Sequence, residues 1–267
     1  MTPRICLPAL ASPQSPHLVD DNSPIPLEDT AAHHLIRVLR RAPGDTVEVF
    51  DGQGRHWLAR LHTVRPATVI LQTELPAEPP ARLQLGLAQC LSTAEKMDWT
   101  IEKAVELGVT QIIPLLSERS VVRLEGTRAD KRLQHWQRLI TAAAMQSGRN
   151  RLPELAPIQS VNDWLARLPP CRAGERRWLL SPLASAPLVT QVAEAPATHT
   201  AWLLCGPESG LSEAEQSRAM SAGWHPALLG PRILRTETAG LVALSILQAG
   251  LGDLGLMPPG PSGSGHD

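Results

Sequence analysis

The sequence predicts an α/β protein in two parts, a small β-rich module followed by a larger domain of alternating strands and helices. Three observations carry this. The alternating runs Asp45-Thr-Val-Glu-Val-Phe50 and His56-Trp-Leu-Ala-Arg-Leu61 flank the turn residues Asp51–Gly54, which is a hairpin pattern. From residue 82 onward, short apolar runs alternate with stretches of helical periodicity. Between the two patterns lies a proline-rich segment, Pro76 to Pro80. The expected division is therefore 1–75, a linker at 76–81, a domain over 82–253, and a low-complexity, disordered tail over 254–267 that contains Pro258 to Gly265.

Within the first module, Leu35, Ile36, Val38 and Leu39 fit a short helix between Glu28 and Arg41, and Val69 to Thr73 supplies a further strand. In the second, Leu83 to Ala88 is a strand. Ser92 with Glu95 reads as a capping box before a helix carrying Met97, Ile101, Ala104 and Val105, stopped by Gly108. Val109 to Leu116 is the next strand, and a helix over about 129–146 turns Leu133, Trp136, Ile140, Ala143 and Ala144 inward. Trp178 to Leu180 and Trp202 to Cys205 are short buried strands. A second capping box, Ser212 with Glu215, opens a helix that ends near Gly223. Pro226 to Leu229 is a strand, and Thr238 to Leu251 an apolar helix.

Length and composition set bounds. The 267 residues, 43% of them hydrophobic, can bury a sizeable core. No apolar run approaches the roughly 18–20 residues of a membrane span, and no signal-peptide pattern opens the chain. The four cysteines Cys6, Cys90, Cys171 and Cys205 lie far apart with no CxxC or Cys/His cluster, so the expectation is a reducing cytoplasm with neither disulfides nor a metal site. Net charge is −1, which by itself argues against strong nucleic-acid binding, but the distribution is uneven. Residues 1–80 hold seven basic and nine acidic side chains, whereas 117–151 hold eight basic and three acidic. Arg119, Arg123, Arg128, Lys131, Arg132, Arg138, Arg149 and Arg151 make up that basic stretch, which suits either a solvated helix face or an RNA-facing surface. Arg149 and Arg151 follow a helix end, where a loop can grip phosphates. Arg37 and Arg40 in the first module are further candidates for RNA contact, while the neighbouring His33 and His34 lack the companions a metal site needs.

Two loops carry the chemistry. Cys205-Gly-Pro-Glu-Ser-Gly210 and Leu229-Gly-Pro-Arg-Ile-Leu-Arg-Thr-Glu-Thr-Ala239 each follow an apolar run and precede a helix, so both lie at strand C-termini, the ligand-binding edge of an open α/β sheet. Glycines let backbone N–H groups approach a ligand, although any strand–turn–helix junction needs such residues. Neither a GxGxxG fingerprint nor a Walker loop is present. In the second loop Arg232 and Arg235 stand beside Thr236, Glu237 and Thr238. The threonines are suited to cap the following helix, and the arginines to meet an anion or a developing charge.

In order along the chain, His34-Leu-Ile-Arg-Val-Leu-Arg40 with Pro43-Gly44, Glu95-Lys-Met97, Glu102 to Gly108, Ser117 to Ser120, Gln146 to Glu154, Gly206-Pro-Glu208 and Leu229 to Ala239 resemble the bacterial small-subunit ribosomal RNA uridine-N3 methyltransferases, the methyltransferase E family of the SPOUT superfamily. The resemblance runs nearly end to end. It implies an N-terminal PUA-like RNA-binding barrel, a C-terminal trefoil-knotted α/β domain and a homodimer. It implies S-adenosylmethionine held by Leu180, Leu204, Gly206, Pro207, Glu208, Gly210, Leu229, Gly230, Ile233, Leu234, Thr236 and Thr238, and small-subunit ribosomal RNA or the 30S subunit as partner. For the methyl transfer, Arg235 with Arg232 would stabilise negative charge on the uracil ring, and Glu208 or Glu237 would accept the N3 proton. Arg37, Arg40, Arg119, Arg149 and Arg151 would hold RNA. Two departures stand out: Met145 replaces a carboxylate of many relatives and has no acid/base capacity, and Ser209 replaces a glycine. A ribose methyltransferase acting on tRNA and a non-catalytic ribosome-assembly protein remain alternatives.

Overall fold

In the computed structural model, described for residues 2–11, 23–122 and 124–255, the chain forms two compact units, Met1–Pro80 with Gln137–Pro153 and Ala81–Trp136 with Glu154–Asp267. The expected tail beyond residue 255 and Arg123 of the basic stretch lie outside the described residues. No helix among the described residues is long and apolar enough to cross a membrane.

The first unit is built on a five-stranded sheet in the order β1-β3-β4-β5-β2, comprising β1 (Arg4–Cys6), β2 (Ile25–Pro26), β3 (Thr46–Phe50), β4 (His56–Val64) and β5 (Ala67–Leu75). The hairpin read from the sequence is β3–β4, with Phe50 opposite His56 and Thr46 opposite Arg60. Its alternation has the expected physical cause. Val47, Val49, Trp57, Ala59 and Leu61 turn to one face and are buried, joining Ile5, Leu10, Leu35 and Val69 in the core. Bulges at Leu58/Ala59 and Leu61/Thr63 curl the sheet. The expected short helix is α1 (Asp29–His33), running on into a π-helical turn over His34–Val38.

The loop at 149–151 belongs to this unit. Arg4, which lies over the Phe50 ring, joins Glu48 at 2.6 Å and donates to Asn150 Oδ1 and to the Arg149 carbonyl. The Glu78 carboxylate accepts from the backbone N–H groups of Asn150 and Arg151.

The second unit has a seven-stranded sheet in the order β12-β10-β11-β6-β7-β8, with β9 also on β7. The strands are β6 (Gln84–Cys90), β7 (Gln111–Leu116), β8 (Glu154–Leu155), β9 (Gln159–Ser160), β10 (Glu175–Leu180), β11 (Thr200–Cys205) and β12 (His225–Ala227). Every pairing is parallel. Parallel sheets are covered on both faces, which explains why these strands read as continuous apolar runs. The fold class is the one expected, mixed α/β with a smaller β-rich module at the N-terminus.

The helices are α2 (Ala94–Glu106), α3 (Gly126–Ser147), α4 (Val161–Arg167), α5 (Leu188–Ala193), α6 (Glu213–Ser221) and α7 (Thr236–Gly250). Helix α7 packs on α2, α5 and β11 through Leu241, Ala243, Leu244 and Leu247. Trp164, Trp202 and Trp224 stack edge to face beside α4.

Two caps differ from expectation. Ser212 with Glu215 forms the complete capping box of α6. Ser92 with Glu95 does not: Thr93 occupies the N-cap of α2 without a side-chain cap bond, and Ser92 is buried behind it. Helix α7 likewise starts after Arg235, whose position leaves Thr236 and Thr238 inside the helix rather than at its cap.

Candidate active site at the C-terminal edge of the parallel sheet

The chain emerges from β10, β11 and β12 on one edge of the sheet, and the three following segments enclose a cavity of about 590 Å³. Leu180 to Leu183 forms one wall, Cys205 to Leu211 the second, and Ala227 to Arg235 the third. Sheet hydrogen bonds draw them together: Ser181 N–H donates to the Ala227 carbonyl, and Leu188 N–H to that of Leu228. The volume falls within the range of small-molecule sites.

Most residues read from the sequence meet here. Of those expected at a cofactor, Leu180, Gly206, Pro207, Glu208 and Gly210 line the cavity, and so do Leu229, Gly230, Ile233, Leu234 and Thr236. Leu204 and Thr238 do not, and Leu204 is fully buried in β11 beneath. Gly210 and Gly230 have φ of +71° and +119°, in the left-handed region, and a Cβ at either would meet open space. Both turns thus leave bare backbone and room for a bound molecule. Gly210, and not Ser209, takes the positive φ.

A buried hydrogen-bond chain ties two walls together. Gln89 Nε2 donates to the Cys90 carbonyl and to Thr236 Oγ1, and the Thr236 hydroxyl donates to the Gly206 carbonyl at 2.5 Å. Sequence reading missed Gln89, a polar residue near the end of a buried strand. Thr236 therefore has a task, but it is fastening the 206–210 turn and not capping. The turn is also fixed from outside: Ser209 Oγ donates to the Arg119 carbonyl, and Arg119 Nη1 donates back to the Ser209 carbonyl. Buried Glu215 accepts from Glu118 N–H, Ser117 Oγ and Ser212 N–H, holding the 117–118 turn to the start of α6.

The charged groups divide by their partners. Arg232 and Arg235 line the cavity and are exposed, and their guanidinium groups have no hydrogen bond or ion pair among the described residues. Glu208 lines it too, and Glu237 does not. Lys96, from the first turn of α2, lies 2.9 Å from Glu208 and 3.6 Å from Glu237. Its signal was the Glu95-Lys-Met97 run, which locally looks like helix surface. Burial pushes the Glu208 carboxyl up, but the Lys96 hydrogen bond, its own backbone N–H and the ammonium charge outweigh this and leave it below its ordinary value. Cys205 also borders the cavity; burial pushes its thiol up to about 12, so it stays protonated and is no nucleophile at neutral pH.

The candidate RNA residues of the first unit are distributed differently. Arg37 and Arg40 are exposed on the π-helical turn and just beyond it. Arg151 is engaged, its Nε donating to the Glu78 carbonyl, and Arg149 N–H closes the end of α3 on the Ala144 carbonyl.

A parallel sheet whose strand-end loops enclose a glycine-lined cavity with free guanidinium groups defines the class, and two family models name it. An RNA methyltransferase domain matches residues 79–248, and an RNA methyltransferase PUA domain matches residues 27–71. The ribosomal RNA small subunit methyltransferase E of Buchnera aphidicola (from Schizaphis graminum) is 32% identical over 87% of this chain and 93% of that protein. That of Bacillus subtilis is 32% identical over 80% and 86%. The crystal structure of the Neisseria gonorrhoeae enzyme of the same name, bound to S-adenosyl methionine, superposes with a TM-score of 0.82 at 34% identity, covering 95% of this chain and 99% of that one. The chain belongs to the ribosomal RNA small subunit methyltransferase E family.

Proposed function

We propose that this protein transfers the methyl group of S-adenosylmethionine to N3 of one uridine in small-subunit ribosomal RNA. The observation that carries the reading is the single cavity shared by three strand-end loops and by the unpaired Arg232 and Arg235. Its size, its bare backbone at Gly210 and Gly230, and the cofactor in the Neisseria gonorrhoeae relative support S-adenosylmethionine as its ligand. The turns at 180–183, 206–210 and 229–234 would hold it largely through backbone groups, with Thr236 fastening the second turn and Leu204 buried in the strand beneath it. When bound, the cofactor supplies a sulfonium methyl for in-line attack by N3, the C–S electron pair leaving with sulfur.

The protein's own residues then manage charge and proton. Uridine N3 carries a proton that must depart before or during attack, so that the N–H electron pair becomes the new N–C bond. Glu208, on the cavity wall, accepts that proton; Glu237, set back from the cavity, does not reach it. Negative charge spreads to O2 and O4 as the proton leaves. Arg235, assisted by Arg232, stabilises it, a contribution of about 10²–10³ in rate for a well-placed donor. The N3 edge is hidden in paired RNA, so the target base must be unpaired or extruded.

In the same proposal, residues 1–75 form an RNA-binding domain joined through 76–81 to the catalytic domain at 82–253, of which the segment 137–153 belongs to the first compact unit. Arg37, Arg40, Arg119, Arg149 and Arg151 contact the RNA backbone, and the protein works as a homodimer in the cytoplasm. Mass mapping of ribosomal RNA from a deletion strain tests the reading. Loss of one methyluridine from small-subunit RNA, restored by the wild-type gene, is the expected result. Intact small-subunit RNA with a missing ribose methyl in tRNA would overturn it.

A further inference from the structure

Lys96 has no task in the reaction as written above, yet among the described residues it is the one that joins Glu208 to Glu237. It stands on the first turn of α2, between the turn after β11 and the start of α7. The carboxylates it joins differ in kind. The Glu208 side chain is 44% exposed and borders the cavity, whereas that of Glu237 is 11% exposed and fixed in the first turn of an apolar helix. Glu237 Oε2 is buried and has no hydrogen bond among the described residues. A buried carboxylate oxygen is costly unless a cation faces it. Lys96, at 3.6 Å, is the cation that faces this one, and among the described residues no other basic group forms an ion pair with Glu237. Charge therefore runs in series, from a rigid buried anchor, through one ammonium, to a carboxylate on the cavity wall.

We propose that Lys96 is a positioning residue for methyl transfer: anchored by Glu237, its ammonium fixes the Glu208 carboxylate on the cavity wall, where it receives the proton leaving uridine N3. The inference rests on the reaction proposed above. It also gives Glu237 the part of an anchor, one step removed from the substrate. The remaining charged groups around the cavity are Arg119, on the 117–120 turn, and Arg232 and Arg235, before α7. None of them forms an ion pair with either carboxylate among the described residues. Among the described residues Lys96 is thus the cation paired with Glu208. Burial alone pushes this carboxyl up, and the Lys96 hydrogen bond heads the contributions that bring it down. Without the ammonium the Glu208 carboxyl takes up its proton at higher pH and serves as an acceptor over a narrower pH range.

The test uses the full-length protein with Lys96→Met, Lys96→Arg and Glu237→Gln. Carbon-13 NMR of glutamate-labelled protein, without cofactor or RNA, follows the Glu208 carboxyl, assigned by its loss in Glu208→Gln. In parallel, kcat/KM for ribosomal RNA methylation is measured from pH 4 to 8.5. In Lys96→Met the Glu208 midpoint and the acid limb of kcat/KM should rise together, so that activity at pH 4.5 falls at least about threefold more than at pH 8. Lys96→Arg should restore both, and Glu237→Gln should shift both in the same direction by less. If Lys96→Met does not fold, Glu237→Gln must still move the limb. A lysine that merely joined two loops would lower the melting temperature and leave the acid limb in place. A shifted Glu208 midpoint with an unmoved limb, or equal behaviour of Lys96→Met and Lys96→Arg, sinks the assignment. A wild type that transfers no methyl group to ribosomal RNA sinks the reaction itself, whereas an active wild type with an unmoved limb sinks only the role of Lys96.

Discussion

The segments at 149–151 and 232–235 look alike in sequence, each a pair of arginines in a loop next to a helix end, and the structure treats them in opposite ways. At 149–151 the polar groups turn inward. Arg151 donates to the Glu78 carbonyl, and its guanidinium lies so close to Gly54 that a Cβ there would come within 2.7 Å of it. At 232–235 both guanidinium groups stand in the cavity wall with no partner among the described residues. The difference teaches that arginine content does not locate an anion site. What locates it is a guanidinium whose hydrogen-bonding capacity the fold leaves unused, because a group already bound to carbonyls has few donors left for a ligand.

Arg177 marks the fully engaged end of this comparison. Only 2% exposed, it pairs with Glu175 at 2.6 Å and donates to the carbonyls of Ala222 and Pro169. Arg177→Met should give the largest effect, a loss of about 3–5 kcal/mol in stability read by denaturant unfolding, since it leaves Glu175 buried without its cation. Arg235→Ala comes next: kcat should fall about 10²–10³-fold while the cofactor Kd, measured by calorimetry, stays within a few-fold. Equal losses in both would move Arg235 from the reacting base to the cofactor. Arg151→Ala should cost about 1 kcal/mol of stability, the worth of one hydrogen bond to a carbonyl. A fall of about 1 in the salt slope of RNA binding should accompany it; if the slope falls while unfolding is unaffected, the 149–151 loop belongs with 232–235 and the contrast collapses. Ser209→Gly should have the smallest effect. Removing the hydroxyl that holds the Arg119 carbonyl should weaken cofactor binding by no more than about fivefold, and an unchanged Kd would show that Glu215 and Thr236 suffice to hold the turn.

The hairpin at 46–64 was legible because one face is buried and the other is not, so period two is written directly into the residues. Strands β1 and β2, of three and two residues, are too short to show any period and left no trace. The two capping boxes show where spacing stops being enough. Ser212 and Glu215 bracket the true start of α6, whereas α2 begins one residue later than Ser92 requires, so that Glu95 falls at the second helical position and cannot reach back. At the site, the strand-end turns were readable from glycine, proline and their neighbours. Lys96 and Gln89 were not, because their partners lie 112 and 147 positions away and no local window contains both ends of either contact.

The hydroxyl of Thr236 fastens the turn after β11 to the beginning of the last helix. Any separation of these two pieces must break that hydrogen bond. Traffic through the cavity, whether a fresh methyl donor arriving or a demethylated one departing, is left to the two remaining walls. Those walls carry Leu183 and Ile233, apolar side chains that are 91% and 86% exposed.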